Sequence, residues 1–155
     1  EPTLDVRLNL AGDFDGELLR NRAMNQAGWS KVNELGFLSR AQVNEILERS
    51  MVGLVTLHPT INYLDSLPVK MFEYMAAGLP VICSNFPLWE SIVTERNCGI
   101  AVDPLEPKSI AAAVTHLVDN KEIAQAMGKN GRKSVEKYYN WANEEEKLIK
   151  FYSDL

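Results

Sequence analysis

Residues 65–84 read "DSLPVKMFEYMAAGLPVICS" and join two signals. The first part carries helix punctuation. Ser66 stands as an N-cap, Pro68 is tolerated in a first turn where its missing N–H would go unpaired anyway, and Gly78 closes a helix of 67–77. Val69, Phe72, Met75 and Ala76 fall at i, i+3, i+6 and i+7, an apolar stripe expected to pack on a sheet. The second part, "LPVICS", is a short apolar run without polar alternation, the pattern of a strand buried on both faces. A helix feeding directly into such a strand is the repeating unit of a parallel α/β sheet.

The same alternation extends outward from this stretch. Upstream, "VRLNLAG" reads as a strand ending at Gly12, "DFDGELLRNRAMNQAG" as a charged helix closed by Gly28, and "VNELGFLS" as a second strand. Ser39 caps the helix "RAQVNEILERS", and "MVGLVTLHPT" is a third strand broken by Pro59, which cannot donate to a ladder. "TINYLD" then reads as a loop. Downstream come a short helix "FPLWESIVTE", a fifth strand "CGIAV", the helix "PKSIAAAVTHLVDN", and two helical stretches over 121–155 that break near Asn140.

The expected class is therefore α/β: a doubly wound, Rossmann-like parallel sheet in three α/β/α layers with a helical C-terminal tail, one domain over 1–155. Right-handed crossovers place every strand-to-helix loop on one edge of such a sheet, and ligands bind there. Those loops are 12–15, 36–39, 58–66, 84–87 and 103–107. The chain enters a strand at 6–10 with no capping turn before it, the look of a domain cut from a longer polypeptide.

Composition narrows the partners. With 46% hydrophobic residues in 155, the chain can bury a core of its own. Sixteen basic against 21 acidic residues leave a net charge of −5, so no overall basic field draws it to nucleic acid. No apolar run approaches the ~18 residues of a membrane span, and membrane contact is at most peripheral, through the basic stretch "KNGRKSVEK". Cys83 and Cys98 sit in short apolar runs and read as reduced core thiols of a cytoplasmic protein.

Packing explains the apolar letters of 65–84 and leaves Asp65, Lys70 and Glu73 unexplained. Lys70 and Glu73 share a face beside the packing stripe, and Glu73 lies one and a half turns into the expected helix. A helix N-terminus offers free N–H groups and a positive dipole end to a phosphate. An extended ligand with hydroxyls at both ends and anionic groups between them would then meet Glu73 at one end and Asp65 at the other. A nucleoside diphosphate sugar has that layout, since an ionised carboxylate accepts from vicinal hydroxyls at both oxygens. The spacing alone equally accommodates a solvated Glu–Lys pair and an Asp serving as an ordinary turn residue.

Together, "LPVKMFEYMAAGLPVICSN", a preceding strand ending in "HP" and the following "ESIVTERNCGIAVDP" resemble the C-terminal, donor-binding domain of GT-B fold retaining glycosyltransferases of family 4, the glycosyl transferases group 1. The likeness covers nearly the whole chain, with "LNLAGDFDGELL" similar to that family's second strand and "VNELGFLSRAQVNEIL" to its base-contacting loop and next helix. The resemblance implies that Glu73 holds the ribose hydroxyls. Asp65, standing where the family more often has Glu, would be the catalytic-site acid near the transferred sugar. Backbone groups of Ser66 and Leu67 would touch sugar or phosphate, and the main chain of Gly36, Phe37 and Leu38 would contact the nucleobase. Lys70 is added as a phosphate contact that the family pattern does not fix. The family usually has a Gly-Phe-Gly-like loop after the first acid, where this chain has Ser66, Leu67 and Pro68.

The implied reaction is front-face sugar transfer from a nucleotide diphosphate sugar to an acceptor with retention, the leaving diphosphate helping to accept the acceptor's proton, with no metal or other cofactor. Relative to the family, the donor domain's first strand and helix and the whole N-terminal acceptor domain are missing, so these residues alone are expected to be inactive. The acceptor is a glycan, lipid or small molecule. A non-catalytic nucleotide-sugar-binding or regulatory module is the competing reading.

Other motifs are weaker. "GDFDGE" at 12–17 faintly resembles a calcium loop, but its twelfth position is Met24, so a turn and helix cap fits better. His58 and His116 have no Cys or His at ligand spacing, which argues against a metal site. His58, before Pro59 on the ligand edge, is a candidate for lining the sugar pocket, and a satisfied loop histidine fits the same position. Neither cysteine lies in a C-x-x-C pair, and no G-x-S-x-G, G-x-G-x-x-G or Walker sequence is present. Trp141, Leu148, Ile149, Phe151 and Tyr152 are expected to pack the tail.

Overall fold

The computed structural model describes residues 6–154. The chain forms two compact units, one ending at Arg49 and the other starting at Ser50. The five expected strands are present and all pair in parallel, with the ladders written as two sheets, one in each unit.

In the first unit, β1 (Leu8–Ala11) pairs with β2 (Val32–Gly36), Leu8 opposite Val32, with a register shift between Leu10 and Ala11. The shift leaves Gly36 at φ 63° and lets the N–H of Gly12 donate to the Gly36 carbonyl at 2.7 Å. Positive φ at Gly36 is a conformation that a side chain resists. α1 (Glu17–Met24) ends earlier than Gly28, because a separate 3-10 turn, Ala27–Lys31, carries the chain into β2. Arg20 of α1 grips Glu34 of β2 with two 2.7 Å bonds. α2 (Arg40–Glu48) starts at Ser39, the N-cap that the sequence suggested, and the cap is reciprocal: Ser39 N–H donates to Gln42 Oε1, and Gln42 N–H to Ser39 Oγ. None of the described residues in this unit is fully buried.

The second unit holds the core. Its sheet runs β3 (Gly53–Val55), β4 (Val81–Ser84), β5 (Gly99–Val102), with β4 central and all four of its residues buried. That burial is why "VICS" shows no polar alternation. Side chains alternate across the pleat. Val81 and Cys83 join Met71 and Met75 of α4 (Val69–Ala76), Trp89 and Val93 of α5 (Pro87–Glu95), and Cys98 just before β5 on one face. Ile82 and Val102 join Ala113, Leu117 and Ala124 on the other, from α6 (Pro107–Asp119) and α7 (Lys121–Lys137). α8 (Trp141–Ser153) follows a break at Asn140, whose side chain accepts from the N–H of Asn143.

Four local expectations need correction. β3 stops at Val55 well short of Pro59, and the presumed loop after it contains α3, a single helical turn Ile61–Leu64. Of the expected α4 stripe, Met75 is buried and Phe72 packs against the core, but Met71 completes the buried face and Val69, the first residue of the helix, is 70% exposed. Trp141, Leu148, Ile149, Phe151 and Tyr152 are all exposed, and Val135 and Tyr139 pack against the core in their place. The fourth correction concerns Ser66 and belongs to the site.

Candidate functional site

The C-terminal ends of β3, β4 and β5 define one edge of the second unit's sheet, and the sequence-selected acids lie on the chain that leaves β3. α3 ends with Asp65 as its C-cap, and the Asp65 side chain is exposed. Ser66 does not cap α4. Its N–H and its hydroxyl both donate to the Tyr63 carbonyl, at 3.3 and 3.2 Å, closing the α3 turn. The extra turn moves the helix start two residues on, and Pro68 becomes the N-cap of α4 with no side-chain cap bond. The first-turn N–H groups of α4 thus lack the oxygen that Ser, Asp or Asn supplies to most helices.

The later start also brings Glu73 nearer the N-terminus. It stands four residues after Val69, about 6 Å along the axis instead of one and a half turns in. Glu73 is half-buried, and its charge, after burial, helps push the neighbouring Tyr74 hydroxyl above its ordinary pKa. Tyr74 packs so closely on Gly53 that a Cβ there would overlap its ring, which fixes α4 against β3. Lys70 is exposed in the first turn, where a cation opposes the positive end of the helix dipole unless an anion stands nearby.

The far end of α4 is firmly closed. Gly78 takes φ 75°, its N–H donates to Met75 O at 3.0 Å, and the N–H of Leu79 donates to Tyr74 O at 2.9 Å, the paired bonds of a Schellman turn. Arg132 of α7 adds a bond to the Ala76 carbonyl.

Two residues that sequence reasoning passed over support the same edge. The Ser84 hydroxyl donates to Leu57 O at 2.7 Å, tying the end of β4 to the segment after β3. The indole N–H of Trp89 donates to the Ser66 carbonyl at 2.6 Å, and Trp89 is fully buried with its ring 4.7 Å from that of Phe86. The signal was available, since a Trp buried in a core needs a partner for its N–H.

His58 is exposed in the segment after β3, where its carbonyl accepts from the N–H of Thr60. Leu67 is 52% exposed. Asp65, Ser66, Leu67, Lys70 and Glu73 are therefore gathered on one short stretch around the start of α4. Gly36, the last residue of β2, and Phe37 and Leu38 just after it lie in the first unit, with Phe37 86% exposed. Among the described residues no group of three or more His, Cys, Asp or Glu side chains is placed to hold a metal ion. No helix there is long and apolar enough to cross a membrane.

A family profile described as glycosyl transferases group 1 matches residues 3–134. The chain is 32% identical over 88 residues to the GDP-mannose-dependent alpha-(1-6)-phosphatidylinositol monomannoside mannosyltransferase of Mycobacterium tuberculosis, covering 57% of this chain and 23% of that protein. It is 24% identical over 161 residues to the D-inositol 3-phosphate glycosyltransferase of Corynebacterium urealyticum, covering 99% and 36%. Among solved structures, sucrose-phosphate synthase from Thermosynechococcus elongatus superposes with a TM-score of 0.81 at 22% identity, over 96% of this chain and 38% of that one. Anabaena HepE in complex with UDP gives 0.82 at 17% identity, over 97% and 41%. The chain thus spans only a minor part of the length of these proteins.

Proposed function

The chain belongs to the glycosyl transferases group 1 family and has the fold of GT-B glycosyltransferases; from that premise we propose that it is the donor-binding part of a retaining, family 4 enzyme. The enzyme moves a sugar from a nucleotide diphosphate sugar to an acceptor. The observation that carries this reading is the start of α4. A helix without a side-chain cap has an acid just before it, Asp65, a cation in its first turn, Lys70, and a second acid one turn in, Glu73. The UDP bound to HepE, a protein of the same fold, supports a nucleotide as the ligand class.

In this reading Glu73 accepts hydrogen bonds from the ribose hydroxyls, and the diphosphate lies against the N–H groups at the start of α4 with Lys70 beside it. Asp65 and the backbone of Ser66 and Leu67 face the transferred sugar, with His58 along the same pocket. The sugar leaves with its bond to the diphosphate broken, the acceptor oxygen attacks from the same face, and the departing phosphate takes the acceptor's proton. No metal enters this scheme. Binding geometry and the helix-end dipole supply most of the rate.

The acceptor side comes from polypeptide outside these residues, so the 155-residue chain alone is inactive, and the enzyme works in the cytoplasm with its two thiols free. Assay of the intact protein with UDP-, GDP- and ADP-sugars, following nucleotide release and the anomeric configuration of the product, tests the reading. A retained configuration with turnover lost in Asp65→Asn supports it. An inverted product, or turnover by the isolated 155 residues, refutes it.

A further inference from the structure

The start of α4 has no side-chain cap and α3 is a single exposed turn, so neither helix by itself fixes where Asp65, Ser66 and Leu67 point. Two hydrogen bonds do. The Ser66 N–H is held by the Tyr63 carbonyl, a local bond within the turn, and the Ser66 carbonyl is held by the indole N–H of Trp89, 23 residues away. Trp89 cannot drift, because it is fully buried among Met71, Met75, Phe86 and Val93.

This bond sets the orientation of a whole peptide plane. Among the described residues all peptide bonds are trans, and in a trans peptide the C=O and the following N–H point in opposite directions. With the Ser66 carbonyl turned toward the buried indole, the Leu67 N–H is turned away from the core. Leu67 and Asp65 on either side of this peptide are both exposed.

We infer that Trp89 is a positioning residue of the donor site: its hydrogen bond to Ser66 aims the Leu67 N–H at the sugar end of a nucleotide sugar. The inference rests on the reading of this edge as a donor site. It adds that sugar recognition depends on a residue in the core beneath the site. Trp89 touches no substrate and acts through the Ser66–Leu67 peptide. Loss of the indole N–H leaves the Ser66 carbonyl without its partner and frees the plane to rotate.

The test compares binding of a nucleotide with binding of its sugar conjugate, using the intact protein and the pairs UDP and UDP-glucose, GDP and GDP-mannose, ADP and ADP-glucose. The ratio of the two Kd values for whichever pair binds isolates the sugar's contribution. Trp89→Phe keeps an aromatic ring and removes the donor. It is expected to shrink that ratio by about threefold to tenfold, the size of one net hydrogen bond, while nucleotide affinity itself stays within about twofold. Phe86→Leu loosens the same packing without touching the bond and is expected to leave the ratio unchanged. Should Trp89→Phe fail to fold, benzothienylalanine at position 89 keeps the indole's shape without its N–H and gives the same readout.

An unchanged ratio in the variant lacking the N–H overturns the inference, as does a fall in nucleotide and nucleotide-sugar affinity together. Glu73→Ala separates the two levels of the argument. If it leaves nucleotide binding intact, the donor-site reading fails. If it removes nucleotide binding while the Trp89 variant keeps the sugar's contribution, only the inference fails.

Discussion

The guanidinium of Arg132 on α7 donates to the carbonyl of Ala76, the last residue of α4, while its Nε pairs with Glu136 at 2.6 Å. A cation at a helix C-terminus satisfies an orphan carbonyl and complements the negative dipole end. The contact joins the element that carries Glu73 to a helix from the far end of the chain. Arg132→Ala is expected to lower the stability of the chain by about 1 kcal/mol, read from denaturant unfolding. Arg132→Lys recovers part of the dipole effect without the fork geometry.

Gly128 makes the same junction possible sterically. A Cβ there would overlap the carbonyl of Gly78, in the turn that closes α4. Gly128→Ala is expected to cost about 1–3 kcal/mol, against the small gain that Gly to Ala gives at an exposed helical site. A thermal melt unchanged by this substitution would show that α7 does not approach the turn so closely.

Burial pushes the Cys83 thiol up to about 12, aided by Cys98, and the Cys98 thiol up to about 11, from an ordinary value of 9.0. Both thiols are free and buried against the sheet. The folded state thus holds these protons more tightly than the unfolded state. Their contribution is fully present below pH 9.0 and is lost as pH rises from there through about 11 and about 12. The denaturation midpoint is expected to fall over that window, less steeply in Cys83→Ala than in the parent once each curve is referred to its own value at pH 8. A native chain that reacts rapidly with a thiol reagent at pH 8 contradicts the burial.

The Ser39–Gln42 cap holds the start of α2, immediately after the loop that carries Gly36, Phe37 and Leu38. Ser39→Ala is expected to destabilise by about 0.5–2 kcal/mol and to raise amide exchange in the first turn of α2. Unchanged exchange there would show that the cap does not hold the loop.

How much of this was legible in the sequence follows from the range of each interaction. The N-cap at Ser39, the glycine closing α4 at Gly78, the break at Asn140 and the buried strand at 81–84 are written in adjacent letters, and the structure has each of them. Ser66 had the letters of an N-cap but took another partner. The four-residue turn α3, too short to show periodicity, placed the Tyr63 carbonyl within its reach. The contacts Trp89 to Ser66, Arg132 to Ala76 and Ser84 to Leu57 span 23, 56 and 27 residues, and no local pattern announces them. The tail aromatics were expected inside because they are apolar, yet apolar residues are common on surfaces as well.

The claim on which the account turns is that Glu73 holds the ribose of a donor nucleotide. Calorimetric titration of the intact protein and of Glu73→Ala with UDP, GDP and ADP tests it most directly. The account predicts that one of the three binds selectively and that Glu73→Ala, still folded, weakens it by about tenfold to a hundredfold, the value of charge-assisted hydrogen bonds. Equal affinity in the two folded proteins would contradict it.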